Sequence, residues 1–414
     1  MNKFLNEFKD RGYFYQCTSE KELSDLLNSK SINAYIGFDS TASSLHVGSL
    51  MQIMCLRLLQ KHGHRPIVLL GGGTTRIGDP SGKEETRKIL SESQIEKNIK
   101  NIQKVFKVLL KTKNVKLKPI FVNNYKWLSK LNYIKFLRDI GKHFTINKML
   151  SFESVKLRLD REQSLSYMEF NYMILQAYDF LELNKNKNCV LQIGGSDQWG
   201  NIINGVELIK RHSNKLAYGL TTPLITLASG AKMGKTEKGA VWLDKKLLSP
   251  YEYWQFWRNT DDRDVIKFLK MFTDLTPAQV DLQKDKNINE LKILLANNAT
   301  ELLHGKKDAE KAFQTAHETF VNKKIGSEVN LPIFNVSKSE IEKGFNIIEL
   351  VLRAKLLNSK SEIRRTIKNN GIKINDVPID NENLKISLDN FKKDKNLFKL
   401  SYGKKNHVII KLIN

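Results

Sequence analysis

Two short glycine-containing segments have side chains suited to binding phosphate groups. The first, His-Val-Gly-Ser at 46–49, follows an apolar run and opens a helical pattern. Unpaired backbone N–H groups and the helix dipole favour an anion at such a point. The second, Lys-Met-Gly-Lys-Thr at 232–236, places two lysines three residues apart between Gly230 and Gly239. Two ammonium groups there could stabilise charge that develops during attack at a phosphorus atom. Taken alone, each segment is more typical of an ordinary structural element than of a phosphate site.

These segments need a scaffold that brings them together, and three apolar runs indicate a parallel sheet. Residues 34–39 (AYIGFD), 67–72 (IVLLGG) and 190–195 (VLQIGG) are suited to buried strands. Each run ends in a polar or glycine-rich loop that leads toward a helical segment. Strand, loop and helix in this order favour an α/β fold, in which ligands bind beyond the carboxyl ends of the strands. We therefore expect a Rossmann-like catalytic domain.

The remaining chain divides by composition into further segments. We expect the catalytic domain to cover 1–220, with a basic, aromatic-rich helical insertion at about 115–165. Residues 221–325 contain the lysine loop and then a helical domain, and 326–345 lacks an amphipathic period and is predicted to be a linker. A small α+β domain that binds RNA is expected over 346–414.

The expected C-terminal domain is unusually basic. Residues 346–414 have about 15 basic and 7 acidic side chains, a net charge of about +8 out of +24 for the whole chain. A Ser-x-x-Glu box that starts at Ser359 predicts a helix start, and Arg364, Arg365 and Lys368 lie on that helix. Such a helix could contact the phosphate backbone of RNA, the alternative being a merely solvated surface.

The overall composition excludes several classes of protein. The longest apolar stretch of the 414-residue chain, around Pro66 to Gly73, is far shorter than the roughly 18 residues of a membrane-spanning helix, so no membrane segment is expected. The three cysteines stand outside any metal-binding or disulfide pattern, so no protein-bound metal is expected. The first residues lack the apolar core of a secretory signal, which favours a cytoplasmic protein. The net charge fits a nucleic-acid partner but also a general drift toward lysine.

Several segments resemble those of one enzyme family. The segment at 46–49 resembles the His-Ile-Gly-His motif, and the segment at 232–236 resembles the Lys-Met-Ser-Lys-Ser motif, of class I aminoacyl-tRNA synthetases. The surrounding stretches YIGFDSTASSLHVGS, GDPSG, RDIGKHF, LQIGGSDQWGN and SPYEYWQFW are similar to the bacterial-type tyrosyl-tRNA synthetases. The similarity extends from about residue 10 to the C-terminus. It implies activation of L-tyrosine with ATP and Mg²⁺, transfer to tRNA(Tyr), and a homodimer formed through the insertion.

The resemblance also implies roles for individual residues. Tyr172, Gln176 and Asp179 are spaced i, i+4 and i+7, so they share one face of a helix. The implied tyrosine pocket comprises Tyr35 and Asp179 at the phenolic hydroxyl, Tyr172, Gln176 and Asp79 at the ammonium group, and Gln198 at the carboxylate. The implied ATP site comprises Gly37, Asp39, Gly48, Gly195 and Asp197 around the adenylate and ribose, with the catalytic residues His46, Ser49, Lys232, Lys235 and Thr236 at the phosphates.

Two departures from the family pattern and two rival functions follow from the same residues. Ser49 replaces the second histidine of the motif, and Ser40 stands where the family commonly has proline. Neither change removes a group needed for bond making, so an effect on ATP affinity is expected rather than loss of activity.

A tryptophanyl enzyme is disfavoured because an indole would leave polar groups of Asp179 and Tyr35 unpaired. A non-catalytic RNA-binding protein is disfavoured by His46 and the lysine loop.

Overall fold

A computed structural model divides the chain into two units. It describes residues 2–79, 90–230, 233–236, 239–320, 331–342, 344–391, 396–403 and 406–413. The first unit contains residues 1–244 and 260–291, and the second contains 245–259 and 292–414. The division differs from the expected one, because residues 260–291 belong to the first unit, whereas the segments that flank them in sequence belong to the second.

The first unit is built on a six-stranded sheet with the order β1-β6-β5-β2-β3-β4. Its strands are β1 (Gln16–Cys17), β2 (Asn33–Asp39), β3 (Arg65–Gly71), β4 (Ile120–Asn123), β5 (Cys189–Gly195) and β6 (Tyr218–Thr222). Strands β2 to β6 pair in parallel, and β1 pairs antiparallel with β6. The predicted α/β fold with a parallel sheet is confirmed. A two-stranded ribbon follows, formed by β7 (Lys235–Thr236) and β8 (Gly239–Ala240).

Helices connect these strands and form the rest of the chain. In chain order they are α1 (Lys3–Asp10), α2 (Glu20–Ser29), α3 (Leu50–Lys61), α4 (Glu92–Leu109), α5 (Tyr125–Leu128), α6 (Tyr133–Asp139), α7 (Ile146–Leu150), α8 (Glu153–Asp160), α9 (Tyr167–Phe170), α10 (Tyr172–Lys187), α11 (Trp199–Ser213), α12 (Pro250–Arg258), α13 (Val265–Phe272), α14 (Pro277–Asp281), α15 (Ile288–His304), α16 (Lys306–Phe320), α17 (Lys338–Glu342), α18 (Ile347–Arg353) and α19 (Lys360–Lys368). Within the described part of the chain, none is long and apolar enough to cross a bilayer.

Strand order explains where a ligand can bind. Strand β2 lies between β3 and β5, so the chain leaves the sheet centre in two directions. The crevice between the two connections opens beyond the carboxyl ends of the strands. Asp39, Gly71 and Gly195 end the three strands there. The buried residues Tyr35, Leu69 and Phe180 belong to one core cluster, which holds α10 against this part of the sheet.

The insertion between the two halves of the sheet is only partly helical. Helices α5 to α8 lie within the expected range of about 115–165, but that range also contains β4, which pairs in parallel with β3. The four residues of β4 follow Pro119 and a lysine-rich stretch. A strand this short offers too few alternating positions to be predicted from hydrophobic period alone.

The second unit contains a sheet that begins earlier than expected. Its strands β9 (Ile333–Ser337), β10 (Ile372–Ile374), β11 (Val377–Pro378), β12 (Leu397–Tyr402) and β13 (Asn406–Ile413) have the order β11-β10-β12-β13-β9. Strand β9 pairs in parallel with β13. Val336 and Phe345 are buried in the same core as Ile410. Part of the expected linker at 326–345 therefore belongs to the C-terminal sheet, and residues 326–330 lie outside the described residues.

Candidate active site

A cavity of about 480 Å³ opens at the carboxyl ends of β2 and β5 in the first unit. Thirteen of the residues singled out from the sequence line it: Tyr35, Gly37, Asp39, His46, Gly48, Ser49, Asp79, Tyr172, Gln176, Asp179, Gly195, Asp197 and Gln198. They come from β2, the segment that leads into α3, the loop after β3, α10, and the end of β5 with the turn that follows it. The fold thus gathers into one cavity residues that are far apart in sequence.

A carboxylate and a tyrosine hydroxyl lie at the buried end of this cavity. Asp179 on α10 is 2% exposed, and Tyr35 on β2 is 1% exposed. Asp179 Oδ1 accepts from Trp127 Nε1 (2.7 Å) and Oδ2 accepts from Asn124 Nδ2 (2.8 Å). Burial raises the pKa of Asp179 to about 7, while the hydrogen bonds from Asn124 and Trp127 oppose that rise. The Tyr35 hydroxyl has no hydrogen-bond partner among the described residues.

A chain of hydrogen bonds joins this end of the cavity to Asp39 at the end of β2. Asn124 Nδ2 also donates to Thr74 Oγ1 (3.0 Å), and Thr74 Oγ1 donates to Asp39 Oδ1 (2.8 Å). The Tyr172 hydroxyl donates to the other oxygen of Asp39 (3.2 Å). The orientation of Asp39 at the end of β2 is thereby tied to that of Asp179 on α10.

A second polar network lies beside the end of β5. Gln198 Nε2 donates to Asp79 Oδ2 (3.0 Å) and to Asp197 Oδ2 (3.2 Å). Asn201 Nδ2 donates to Gln198 Oε1 (3.0 Å) and to Gln176 Oε1 (3.2 Å). Two carboxylates and two amide oxygens therefore point toward one part of the cavity. Such acceptors can hold an ammonium group.

The two glycine-containing motifs meet in the first unit. His46 Nδ1 accepts from the Gly48 N–H (3.0 Å), which leaves Nε2 as the nitrogen that donates. A Cβ atom on Gly48 would lie 2.8 Å from the carbonyl oxygen of Met233. Gly234 has a φ of +104°, and a Cβ there would lie 2.7 Å from His46 Nδ1. The contact between the motifs therefore depends on glycine at both positions.

The side chains of Lys232, Lys235 and Thr236 lie outside the described part of the structure. Lys232 lies outside the described residues, and Lys235 and Thr236 are described as the backbone of β7. Their assignment as catalytic residues stays a prediction. Within the described part of the chain, no group of three or more His, Cys, Asp or Glu side chains could hold a metal ion.

Four residues of the site were missed from the sequence. Asn124 and Trp127 position Asp179, Thr74 connects Asp39 to Asn124, and Asn201 connects Gln176 to Gln198. The available signal was weak: Asn124 follows a strand that was not predicted. Recognising Asn124 required β4 to be identified first, since polar residues that end parallel strands gather at one edge.

The basic helix of the C-terminal domain is formed as predicted. Ser359 Oγ accepts from the Glu362 N–H (3.2 Å) at the start of α19. Arg364, Arg365 and Lys368 are exposed on that helix, and Ile363 is buried beneath it. The three cations are thus presented to solvent from a helix anchored in the core of the second unit.

Comparisons with known proteins identify the family. Residues 27–321 match the model for tRNA synthetases class I (W and Y). The chain is 68% identical to the tyrosine–tRNA ligase of Pelagibacter ubique over the full length of both chains. It is 49% identical to the tyrosine–tRNA ligase of Rickettsia massiliae, over 99% of this chain and 100% of that one. The chain belongs to the bacterial-type class I tyrosyl-tRNA synthetases.

Solved structures of tyrosyl-tRNA synthetases have the same architecture. A C-terminally truncated mitochondrial tyrosyl-tRNA synthetase from Aspergillus nidulans is 30% identical, with a TM-score of 0.69, over 77% of this chain and 94% of that one. The enzyme from Archaeoglobus fulgidus, solved with L-tyrosine, is 18% identical with a TM-score of 0.55, over 75% of this chain and 99% of that one. The second likeness concerns the fold alone. As a tyrosyl-tRNA synthetase, the protein is a ligase.

Proposed function

We propose that this tyrosyl-tRNA synthetase activates L-tyrosine with ATP and then esterifies tRNA(Tyr), with the cavity at β2 and β5 serving both steps. The observation that supports tyrosine as substrate is the buried pair of Tyr35 and Asp179. A phenol can donate to the Asp179 carboxylate and accept from the otherwise unpartnered Tyr35 hydroxyl. An indole N–H only donates, so tryptophan, the other substrate in the family description, would leave Tyr35 unpaired.

In the first step, the tyrosine carboxylate attacks the α-phosphorus of ATP. One carboxylate oxygen forms a bond to phosphorus, and the bond from phosphorus to the bridging oxygen of pyrophosphate breaks. Asp79, Tyr172 and Gln176 hold the ammonium group, and Gln198 faces the carboxylate. Negative charge grows on the departing pyrophosphate, where the Nε2–H of His46 and the two loop lysines stabilise it. Mg²⁺ arrives bound to ATP.

In the second step, a ribose hydroxyl of the 3′-terminal adenosine attacks the carbonyl carbon of tyrosyl-adenylate. The ester bond to tRNA forms and AMP leaves. Both steps use a substrate that is itself a nucleophile, so the protein contributes orientation and charge stabilisation rather than a covalent intermediate. Gly37, Gly48 and Gly195 leave room for the adenylate to lie against the backbone.

The exchange of pyrophosphate into ATP, measured with each of the twenty amino acids, tests the proposed activity. We expect exchange with L-tyrosine and background rates with L-tryptophan and L-phenylalanine. Exchange driven by tryptophan would reassign the substrate. No exchange with any amino acid would support the rival reading of a non-catalytic RNA-binding protein.

The substitution Tyr35→Phe tests the location of the phenol. One hydrogen bond to the substrate hydroxyl is lost while Asp179 remains, so we expect the preference for tyrosine over phenylalanine to fall by about tenfold. Tyrosyl-tRNA synthetases are themselves the standard example of this discrimination. The measurement is kcat/KM for both amino acids in pyrophosphate exchange. Tyr13→Phe, another buried tyrosine of the first unit, is the control, and an unchanged ratio in Tyr35→Phe would remove Tyr35 from the pocket.

The C-terminal domain is proposed to bind the tRNA backbone through Arg364, Arg365 and Lys368. A chain that ends at Phe320 lacks β9 to β13 and should keep pyrophosphate exchange but lose at least about tenfold in kcat/KM for tRNA charging. The relative from A. nidulans was crystallised in a C-terminally truncated form, which supports folding of such a chain. In the full chain, replacing the three cations by glutamine should weaken charging and its salt dependence. Normal charging by both proteins would make the domain a solvated appendage.

The insertion is proposed to form a homodimer interface. Three large side chains of the insertion, on α6 and α7, are more than half exposed: Tyr133 (58%), Ile134 (71%) and Ile146 (60%). Tyr167 (67%), on α9 just after the insertion, is exposed as well. A second copy of the chain would remove them from water, which is favourable for apolar surface. A monomer mass in sedimentation equilibrium would contradict this.

We also propose that the protein acts in the cytoplasm, where tRNA charging serves protein synthesis.

A further inference from the structure

We propose that tRNA(Tyr) also contacts the first unit, along a face of α4 formed by lysines, which we call the α4 lysine face. The face consists of Lys97, Lys100, Lys104, Lys107 and Lys111, the last of which follows the helix. All five are exposed. The proposal rests on the proposed function, because it takes tRNA as the partner.

Helical geometry places these lysines in one row. The spacing of three and four residues keeps the four lysines on the helix, at 97, 100, 104 and 107, within about 80° around its axis at 3.6 residues per turn. The buried residues Ile95, Ile102 and Leu109 occupy the opposite side of α4. At 1.5 Å per residue, the four lysines on the helix span about 15 Å along its axis. A row of this length can follow several consecutive phosphates of a nucleic acid strand.

The charge on this segment exceeds a general drift toward lysine. Residues 97–118 contain eight lysines and no acidic residue, a net charge of +8 that equals that of the 69 residues of 346–414. With 44 acidic residues in a chain of 414, a segment of this length would hold about two by chance. The helix dipole favours cations only in the last turn, so it accounts for Lys107 but not for Lys97 or Lys100.

The lysines of this face are available for a partner. Lys97, Lys100 and Lys107 have no ion-pair partner among the described residues, and Lys104 donates only to the amide oxygen of Asn101 (2.9 Å). Five neighbouring ammonium groups with so few acidic neighbours repel one another. A polyanion would relieve that repulsion and release its own counterions.

The position of α4 favours tRNA over another polyanion. Asn98 Nδ2 donates to the carbonyl oxygen of Ser40 (2.8 Å), directly after β2, and Ile102 lines the catalytic cavity. The lysine face therefore lies on the outer side of a helix whose inner side borders the site that must receive the 3′ end of tRNA. A tRNA that is engaged there brings phosphates close to this helix.

Lys111, at the far end of the α4 lysine face, also lines a cavity that contains other basic residues. A cavity of about 350 Å³ is lined by Arg11, Arg57, Lys61 and Lys111, together with Asp274. Arg57 pairs with Asp274 (2.5 Å), and Arg11 and Lys61 pair with Glu7. Lys111 has no ion-pair partner among the residues that the structure describes. The series of unpaired lysines thus continues past the end of α4.

The test replaces three lysines of the face without removing the helix. Glutamine keeps high helix propensity, so Lys97→Gln/Lys100→Gln/Lys107→Gln should fold and retain tyrosine-dependent pyrophosphate exchange. We expect its KM for a tRNA(Tyr) transcript in charging to rise at least about tenfold. The slope of log affinity against log salt concentration should fall by about 2 to 3.

A second triple variant controls for net charge. Lys21→Gln/Lys30→Gln/Lys286→Gln removes the same charge from exposed lysines elsewhere in the first unit. We expect its KM for tRNA to change less than twofold. Equal effects in the two triple variants, or none in either, would overturn the proposal. Absence of tyrosine-dependent exchange in the unaltered protein would instead overturn the proposed function.

A measurement on the unaltered protein removes dependence on folding of the variants. Acetylation of individual lysines is followed by mass spectrometry with and without tRNA(Tyr). Protection of Lys97, Lys100 and Lys107 by tRNA, with Lys21 and Lys30 unprotected, supports the proposal. Unprotected α4 lysines at saturating tRNA would refute the proposal. Lysines that anionic phospholipid vesicles protect and tRNA does not would refute it as well.

Discussion

Replacing Asp179 by asparagine is expected to lower kcat/KM for tyrosine in pyrophosphate exchange by about 10³. The substrate hydroxyl loses a charged acceptor. The change also disturbs the protein, because Trp127 Nε1 and Asn124 Nδ2 both donate to this carboxylate. An amide has one acceptor oxygen, so its NH₂ group must face one of those donors. Asp25→Asn, at an exposed position of α2, is the matched control and should be neutral.

The raised pKa of Asp179 gives the same prediction a pH dependence. With a pKa of about 7 in the free enzyme, the carboxyl is protonated in more molecules as the pH falls, and a protonated carboxyl accepts the phenol less well. We expect kcat/KM for tyrosine to fall below pH 7, approaching tenfold per pH unit. The free energy of unfolding depends on pH in the opposite direction to kcat/KM. The folded state binds a proton between pH 4 and 7 that the unfolded state does not, so this group lowers the free energy of unfolding as pH rises. A kcat/KM for tyrosine that does not change with pH would place Asp179 away from the phenol.

His46→Ala should slow tyrosyl-adenylate formation by about 10²–10³, with little change in the affinity for tyrosine. The hydrogen bond from Gly48 to Nδ1 fixes the donor at Nε2, so the ring is oriented before ATP binds. The His46 ring also meets the ring of Trp242 edge-on, with centroids 6.3 Å apart. An oriented donor that acts on developing charge affects rate more than ground-state binding. Stopped-flow measurement of the first turnover separates the two quantities.

Two glycines of the lysine loop provide a matched test of the contact between this loop and the His46 motif. Gly234 and Gly239 both have positive φ, +104° and +110°, so alanine introduces comparable backbone strain at either position. A Cβ atom at 234 would collide with the His46 ring, whereas a Cβ at 239 meets nothing within 4 Å. Gly234→Ala should therefore reproduce much of the His46 defect, and Gly239→Ala should not. Equal rates in the two variants would argue against a functional contact between the motifs.

The ends of the long strands were the most predictable part of this site. Asp39 and Gly195 follow apolar runs long enough to be recognised as strands, and topology then places them at one edge. The face of α10 formed by Tyr172, Gln176 and Asp179 followed from helical period, and all three line the cavity. What these examples share is that the decisive signal lies within a few consecutive residues.

Other features depend on contacts between distant segments. The partners of Asp179 are Asn124 and Trp127, more than 50 residues earlier, and they reach it only because β4 ends beside β3. No local pattern near Asp179 indicates them. The early start of the C-terminal sheet was missed for the same reason, since β9 gains its hydrogen bonds from β13, over 70 residues later.

That parallel pairing has a consequence for how the C-terminal domain is made. Strand β13 lies between β12 and β9, so β12 has an open edge and β9 lacks its pairing strand until residues 406–413 have emerged from the ribosome. Contacts between strands that are far apart in sequence form slowly, and open strand edges can pair with other chains in the meantime. Synthesis that stops between β9 and β13 would therefore release a chain with an unfinished sheet. Such a fragment is a candidate for aggregation and proteolysis even though its first unit is complete.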